Sequence, residues 1–227
     1  IVDSAFTINL DNRYAKLLEA SRIATDTVVK NLGVDVRFQE LSMIAQEIVK
    51  SYEIEIDNRT IPLKPIDNLA GHNILPWTIH AGKYLHSVVK ENDNQKVDEN
   101  EVIAVEVFVS TGEGTTILDE NKLNYSHYML KNRNTGNTGN TRIPLFNIKR
   151  VNDVSRIIQN NFSTLAFCPR FIDNFNGKKQ KNYRFCLDYL FQNNILNSYP
   201  PLIEPNKDAL IAQYEKSVFV GDTKIIL

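Results

Sequence analysis

The sequence predicts an α+β domain interrupted by a helical insertion, and three observations carry that expectation. Residues 101–110 alternate strictly, with Ile103, Val105, Val107 and Val109 on one face and Ala104, Glu106 and Phe108 on the other, the period-two pattern of a strand. Two earlier stretches repeat apolar residues at helical spacing: Tyr14, Leu17, Leu18, Ala24 and Val28, then Leu41, Ile44, Ala45, Ile48, Val49 and Tyr52. A helical pattern over 147–197 is followed by renewed alternation at 210–220, so the sheet resumes after the insertion.

Along the chain, residues 1–10 read as a strand with Val2, Phe6 and Ile8 in apolar positions. Asp11 is the expected N-cap of the first helix and Gly33 its C-cap residue. The second helix is expected over 38–52, and a hairpin follows around an Asp57-Asn58 turn. The segment 71–83 predicts turn residues around a short strand at 77–81, and it holds both His72 and His80. Residues 132–141, NRNTGNTGNT, predict an exposed loop. Val151, Val154, Ile157 and Ile158 mark one inserted helix, and Tyr183, Leu187, Leu190 and Phe191 another, before Tyr199-Pro200-Pro201-Leu202 ends the insertion rigidly. In the closing strand Ile211, Gln213, Glu215, Ser217 and Phe219 share a face.

At 227 residues the chain can bury a substantial core. Its 26 basic and 27 acidic side chains leave a net charge of −1, so no basic excess argues for nucleic acid or an anionic membrane as partner. No apolar run of about 18 residues is present. The expectation is a soluble, cytoplasmic protein with Cys168 and Cys186 as reduced structural thiols. The chain begins at Ile1 in mid-strand, which predicts a missing N-terminal segment.

Asp3, His72, Glu106 and Glu215 stand out because each is embedded in an apolar, strand-like stretch. An unpaired charge buried in a protein costs several kcal/mol, so such groups are expected to be paired, protonated or bound to a metal. Carboxylates that can bridge or chelate, with an imidazole to complete a shell, are the donor types a pair of divalent cations needs. Spacing alone leaves open that each is an edge or solvent-facing residue, as Glu53, Glu55 and Glu101 are expected to be.

The motifs AGHNI…WTIHAGK (70–83), AVEVFVSTGEG (104–114), SHYM (126–129), NNFSTLAFCPR (160–170), YPPL (199–202) and AQYE (212–215) occur in one order over the whole chain. In this the sequence resembles the type 2 methionine aminopeptidases. The resemblance implies the pita-bread fold, a curved antiparallel sheet backed by helices, in one catalytic domain over 1–227 with an inserted helical subdomain at 130–200. It implies two divalent ions (cobalt, manganese, iron or zinc) held by Asp3, His72, Glu106 and Glu215. It makes Glu106 a proton shuttle and His80 the histidine that bonds the substrate near its scissile amide and stabilises the oxyanion. Ile79, Phe108, His127, Ala166 and Tyr199 match positions lining the methionine pocket. The activity implied is metal-assisted hydrolysis of the bond after an N-terminal methionine, by a monomer acting on nascent polypeptides and able to meet the ribosome through an N-terminal extension.

The sequence also departs from that pattern. The family's upstream metal aspartate and substrate histidine would precede Ile1, so the expectation is that this stretch alone holds at most one ion tightly and is impaired. The loop Asn73-Ile74-Leu75-Pro76-Trp77 is less polar than usual, Lys216 stands where histidine is common, and the last strand stops at Leu227. The alternatives are a non-catalytic RNA- or protein-binding relative and an Xaa-Pro peptidase. Retention of His72, His80, Glu106 and Glu215 and the lack of net positive charge disfavour the first, and the helical insertion with SHYM and YPPL disfavours the second.

Overall fold

The strand expected over the first ten residues shrinks to β1 (Ala5–Phe6), paired antiparallel with Glu215 and Tyr214. On either side of that short ladder, side-chain hydroxyls replace backbone pairing. Asp3 N–H donates to Ser217 Oγ at 2.9 Å and Ser217 Oγ donates back to Asp3 O at 2.7 Å, while Thr7 Oγ1 and the Gln213 backbone exchange two more bonds. The computed structural model describes residues 1–119, 125–131 and 143–227. The Asn/Thr/Gly tract at 132–141 lies outside them, and no helix of the described residues is long and apolar enough to cross a membrane.

Asp11 caps a 3-10 turn (Asn12–Tyr14) by accepting from Arg13 N–H, and α1 (Ala15–Asn31) continues from it. The helix ends at Leu32 in extended conformation, so Gly33 follows the cap instead of forming it. α1 buries Leu17, Ala20, Ala24 and Val28, and its Ser21 and Thr25 hydroxyls donate to the carbonyls of Val107 and Tyr214, fixing the helix on the sheet at two points one turn apart. Next come α2 (Phe38–Lys50) and the hairpin β2 (Glu53–Ile56) and β3 (Arg59–Pro62), whose Asp57 and Asn58 both take positive φ as the tight turn requires.

Six more strands complete the main sheet: β4 (Lys64–Pro65), β5 (Ala70–Ile74), β6 (Tyr84–His86), β7 (Glu101–Ser110), β14 (Ile211–Val220) and β15 (Lys224–Ile226). Its order is β1-β14-β7-β5-β6, with β15 beside β14 and β4 beside β7. The strand expected at 77–81 is displaced to β5, because Trp77 takes a φ of 64° that breaks extended pairing. Gly71 has a steric role in β5: a Cβ there would stand 2.3 Å from the Ala104 carbonyl oxygen of β7.

Between β7 and β14 lie β8 (Ile117–Leu118), β9 (His127–Leu130), α3 (Lys149–Asn161), α4 (Arg170–Asp173), β10 (Asn174–Phe175), β11 (Lys178–Lys179), α5 (Tyr183–Gln192), β12 (Leu196–Tyr199) and β13 (Leu202–Ile203). Two compact units result. The first comprises Ile1–Leu75, His80–Ile117 and Ile203–Leu227, and the second Pro76–Ile79 and Leu118–Leu202. The first is built on α1, α2 and the sheet, with Phe38, Leu41, Ile103, Val105 and Val218 in its core. The second has its own core of Leu130, Val151, Val154, Ile158, Phe167 and Leu187. Cys168 and Cys186 are both free thiols.

Candidate metal centre

Register on the sheet brings three of the four expected ligands, Asp3, His72 and Glu215, into one group, with Glu106 in register opposite Glu215 but outside that group. Glu215 of β14 is paired directly with Glu106 of β7, and on its other side with Ala5, two residues from Asp3. His72 of β5 pairs with Ala104, two residues from Glu106 and on the same face of β7. The side chains then converge over the two central strands: His72 Nε2 lies 3.6 Å from Asp3 Oδ2, and one donor atom each from Asp3, His72 and Glu215 falls within 4.8 Å of the others. His72, Glu106 and Glu215 are on strands as expected, whereas Asp3 precedes β1 and is held by the Ser217 hydroxyl instead of a ladder.

The electrostatics of this group are those of a site short of positive charge. Burial, then repulsion from Glu215 and Asp3, pushes the Glu106 carboxyl up to about 9, against a weaker lowering by the Gln213 amide. Burial and Asp3 push Glu215 up to about 7, partly offset by His72. Among the described residues no lysine or arginine pairs with Asp3, Glu106 or Glu215. A divalent cation would supply the missing charge, and oxygen donors with one imidazole suit such an ion. His72 Nδ1 lies 3.4 Å from the Asn73 carbonyl oxygen. With its proton there, Nε2 presents a lone pair toward Asp3.

His80 lies in a turn, its ring edge-on to His72 with centroids 4.4 Å apart. Burial, and then His72, lowers its pKa against the pull of Asp3, so the ring favours the neutral form. The loop between the two histidines is closed by bonds from Ala81 N–H to Asn73 O and from Lys83 N–H to Asn73 Oδ1. Asn73 Nδ2 in turn donates to Glu101 Oε1 at 2.9 Å, and Lys83 Nζ reaches Glu101 Oε2 at 3.0 Å. Glu101, expected at the surface, is therefore only 7% exposed. Its register position on β7 turns it into a paired anchor for this loop. Glu53 and Glu55 are exposed as expected.

Gln213 was missed as a functional residue. Its amide donates to Glu106 Oε2 at 3.2 Å and to Glu215 Oε2 at 3.5 Å, bracing both carboxylates. The signal was available: Gln213 lies two residues before Glu215 on the same strand face. Lys216 points away from the cluster, as alternation predicts, and pairs with Asp26 of α1 at 2.6 Å. Of the residues expected to contact a methionine side chain, Phe108 is half-buried on β7 two positions from Glu106. In the second unit His127 and Tyr199 are register partners on β9 and β12. Ala166 is exposed next to Phe167, whose backbone bonds Tyr128, and Ile79 is half-buried in the short 76–79 segment.

The model of metallopeptidase family M24 matches residues 1–132, which include Asp3, His72, His80 and Glu106. The chain belongs to this family. Within M24 it is 40% identical over 223 residues to "Methionine aminopeptidase 2-2" of Chaetomium globosum, covering 98% of this chain and 47% of that protein. It is 42% identical over 218 residues to "Methionine aminopeptidase 2" of Sclerotinia sclerotiorum, covering 96% and 46%. The chain thus spans about half the length of the curated relatives it matches. Among solved structures, a thermophilic Arx1 matches with a TM-score of 0.70 at 13% identity, over 94% of this chain and 57% of that one. A methionine aminopeptidase of Thermotoga maritima matches with a TM-score of 0.51 at 13% identity, over 99% and 57%. Structural likeness at that identity shows the fold, the pita-bread fold of M24 proteins, and M24 membership implies divalent metal cofactors.

Proposed function

We propose that this chain provides metal-holding and substrate-positioning residues of a methionyl aminopeptidase, which hydrolyses the bond after an N-terminal methionine. The observation that supports this most is the convergence of Asp3, His72 and Glu215 within 4.8 Å, with Glu106 in register opposite Glu215 and, among the described residues, no lysine or arginine paired with them. In this reading Asp3, His72, Glu106 and Glu215 hold two divalent ions drawn from cobalt, manganese, iron and zinc. When bound, such ions supply a water acidified toward neutral pH and polarise the scissile carbonyl.

The chain's own residues do the rest. Neutral His80 donates a hydrogen bond toward the substrate amide, and Gln213 keeps Glu106 and Glu215 aligned. Glu106, in register opposite Glu215, takes up a proton and returns it to the leaving amine. The stretch 130–200 is an insertion in one catalytic domain over 1–227. The substrates are nascent polypeptide N-termini in the cytoplasm, and the protein acts as a monomer.

The test is hydrolysis of Met-Ala-Ser by the protein containing this chain, with manganese or cobalt added after chelation. Release of methionine that disappears on chelation and returns with metal is the expected result. Cleavage of an Xaa-Pro dipeptide instead, or of neither peptide, would overturn the proposal.

A further inference from the structure

The chain-wide charge of −1 conceals a division between the two units. By sequence, the stretch Leu118–Leu202 carries 12 lysines and arginines against 5 aspartates and glutamates, an excess of seven positive charges. The rest of the chain carries 14 against 22, an excess of eight negative ones. The four residues Pro76–Ile79 of the second unit add no charge. A balance that argues against a polyanionic partner for the whole chain therefore says nothing about the second unit.

Four of those cations line one groove. A depression of about 730 Å³ is lined by Lys149 and Arg150 from the start of α3 and by Lys179 and Lys181 from β11 and the segment after it. All four side chains are exposed, and among the described residues none has an ion-pair partner. The one acidic residue in the lining, Asp153, is already engaged by Arg156 at 3.2 Å. α3 and α5 both start at the groove, at Ile148 and Asn182, without a capping side chain, so their first-turn amides add to the positive potential. The lining also contains Phe185, 54% exposed on α5, and Asn182, whose side-chain amide has no bonding partner among the described residues.

We propose that this groove binds single-stranded RNA, with the four cations along the phosphate backbone, a base stacked on Phe185 and Asn182 reading a 2′-hydroxyl. An unpaired basic groove beside an exposed aromatic is what sequence-tolerant single-strand binding requires. The free amide, able both to donate and to accept, favours RNA over DNA. This inference is independent of the aminopeptidase reading, because none of its residues belongs to the metal cluster.

The test measures fluorescence anisotropy of a labelled 20-nucleotide single-stranded RNA of mixed sequence, titrated with the protein containing this chain at several salt concentrations. The expected slope of log affinity against log salt is about −3, from about −0.7 for each of four neutralised phosphates on a single strand. Lys179→Glu with Lys181→Glu should weaken binding at least about tenfold and flatten the slope. Phe185→Ala should weaken it about tenfold without changing the slope. Lys50→Glu, an exposed site on α2, should leave binding unchanged. Should Lys179→Gln with Lys181→Gln, a milder pair whose folding is checked by circular dichroism, bind as tightly as the parent, the proposal fails. It also fails if Lys50→Glu is equally damaging, or if duplex RNA, DNA of the same sequence or phosphatidylserine vesicles bind as well as the single strand.

Discussion

Two glutamates on β7, five residues apart, have opposite fates. Glu101 is buried at the strand's start with Lys83 and Asn73 bonded to its two oxygens. Glu106 is half-buried, yet it faces Glu215 and Asp3, and among the described residues its carboxylate bonds only an amide shared with Glu215. A buried charge with a matched partner is architecture, while one left with like-charged neighbours is a candidate binding group for a cation. The Glu101 network therefore holds the His72–His80 loop in place, and the Glu106 cluster is the proposed cation site.

That contrast can be broken most decisively by exchanging carboxylates for amides. Glu215→Gln should lower manganese affinity in calorimetry by more than about 100-fold, beyond the 10–100-fold typical of supporting residues. It should leave the metal-free chain as stable as the parent or more so, since a mutually repelling carboxylate is removed. Glu101→Gln should do the reverse, lowering stability in urea by about 1–3 kcal/mol because Lys83 is left without its buried partner, and changing metal affinity far less. If both substitutions shift stability in the same direction, the distinction between the two sites is wrong.

pH sharpens the comparison. Glu106 and Glu215 have folded pKa values of about 9 and about 7, above the ordinary 4.5 of the unfolded chain. The folded state then binds more protons between those limits, so the metal-free chain should lose stability as pH rises from about 5 through 7 to 9. Saturating manganese, which requires deprotonated ligands, should abolish that trend and release protons on binding. Thermal melts at a series of pH values with and without metal test this.

A smaller effect is expected at Gln213. Gln213→Leu should reduce metal affinity or turnover by about tenfold, the low end for a residue that orients ligands. The smallest concerns Glu204. Burial raises its carboxyl, but bonds from Ser110 Oγ and from the Gly114 and Glu113 N–H groups outweigh that and hold its pKa below the ordinary value. Its contribution is complete above the unfolded value of 4.5 and lost as pH falls through the lower folded one. Glu204→Gln should therefore flatten the acid side of the stability profile and leave its alkaline side unchanged.

Elements set by local periodicity were legible: β7, the stripe of α2 and the Asp57-Asn58 turn all lie where alternation, helical spacing and turn chemistry put them. Extent was less legible. Residues 1–10 have strand-like composition, but composition cannot show that Ser217 and Thr7 will supply hydroxyl bonds in place of a ladder. Glu101 looked like a surface residue because its partner, Lys83, is eighteen positions away in a loop with no pattern of its own.

The sequence by itself determined which side chains could serve as ligands, which face of β14 carries Glu215, and, through its ordered motifs, the family. Only the tertiary structure decided that Asp3, His72 and Glu215 meet, that Glu101 is an anchor while Glu106 is a candidate ligand, and that four cations of the positively charged stretch line one groove without ion-pair partners among the described residues. The physical reason is common to all three. Alternation fixes the direction of a side chain from its neighbours in the chain, whereas strand register and loop closure fix which distant charge stands opposite it.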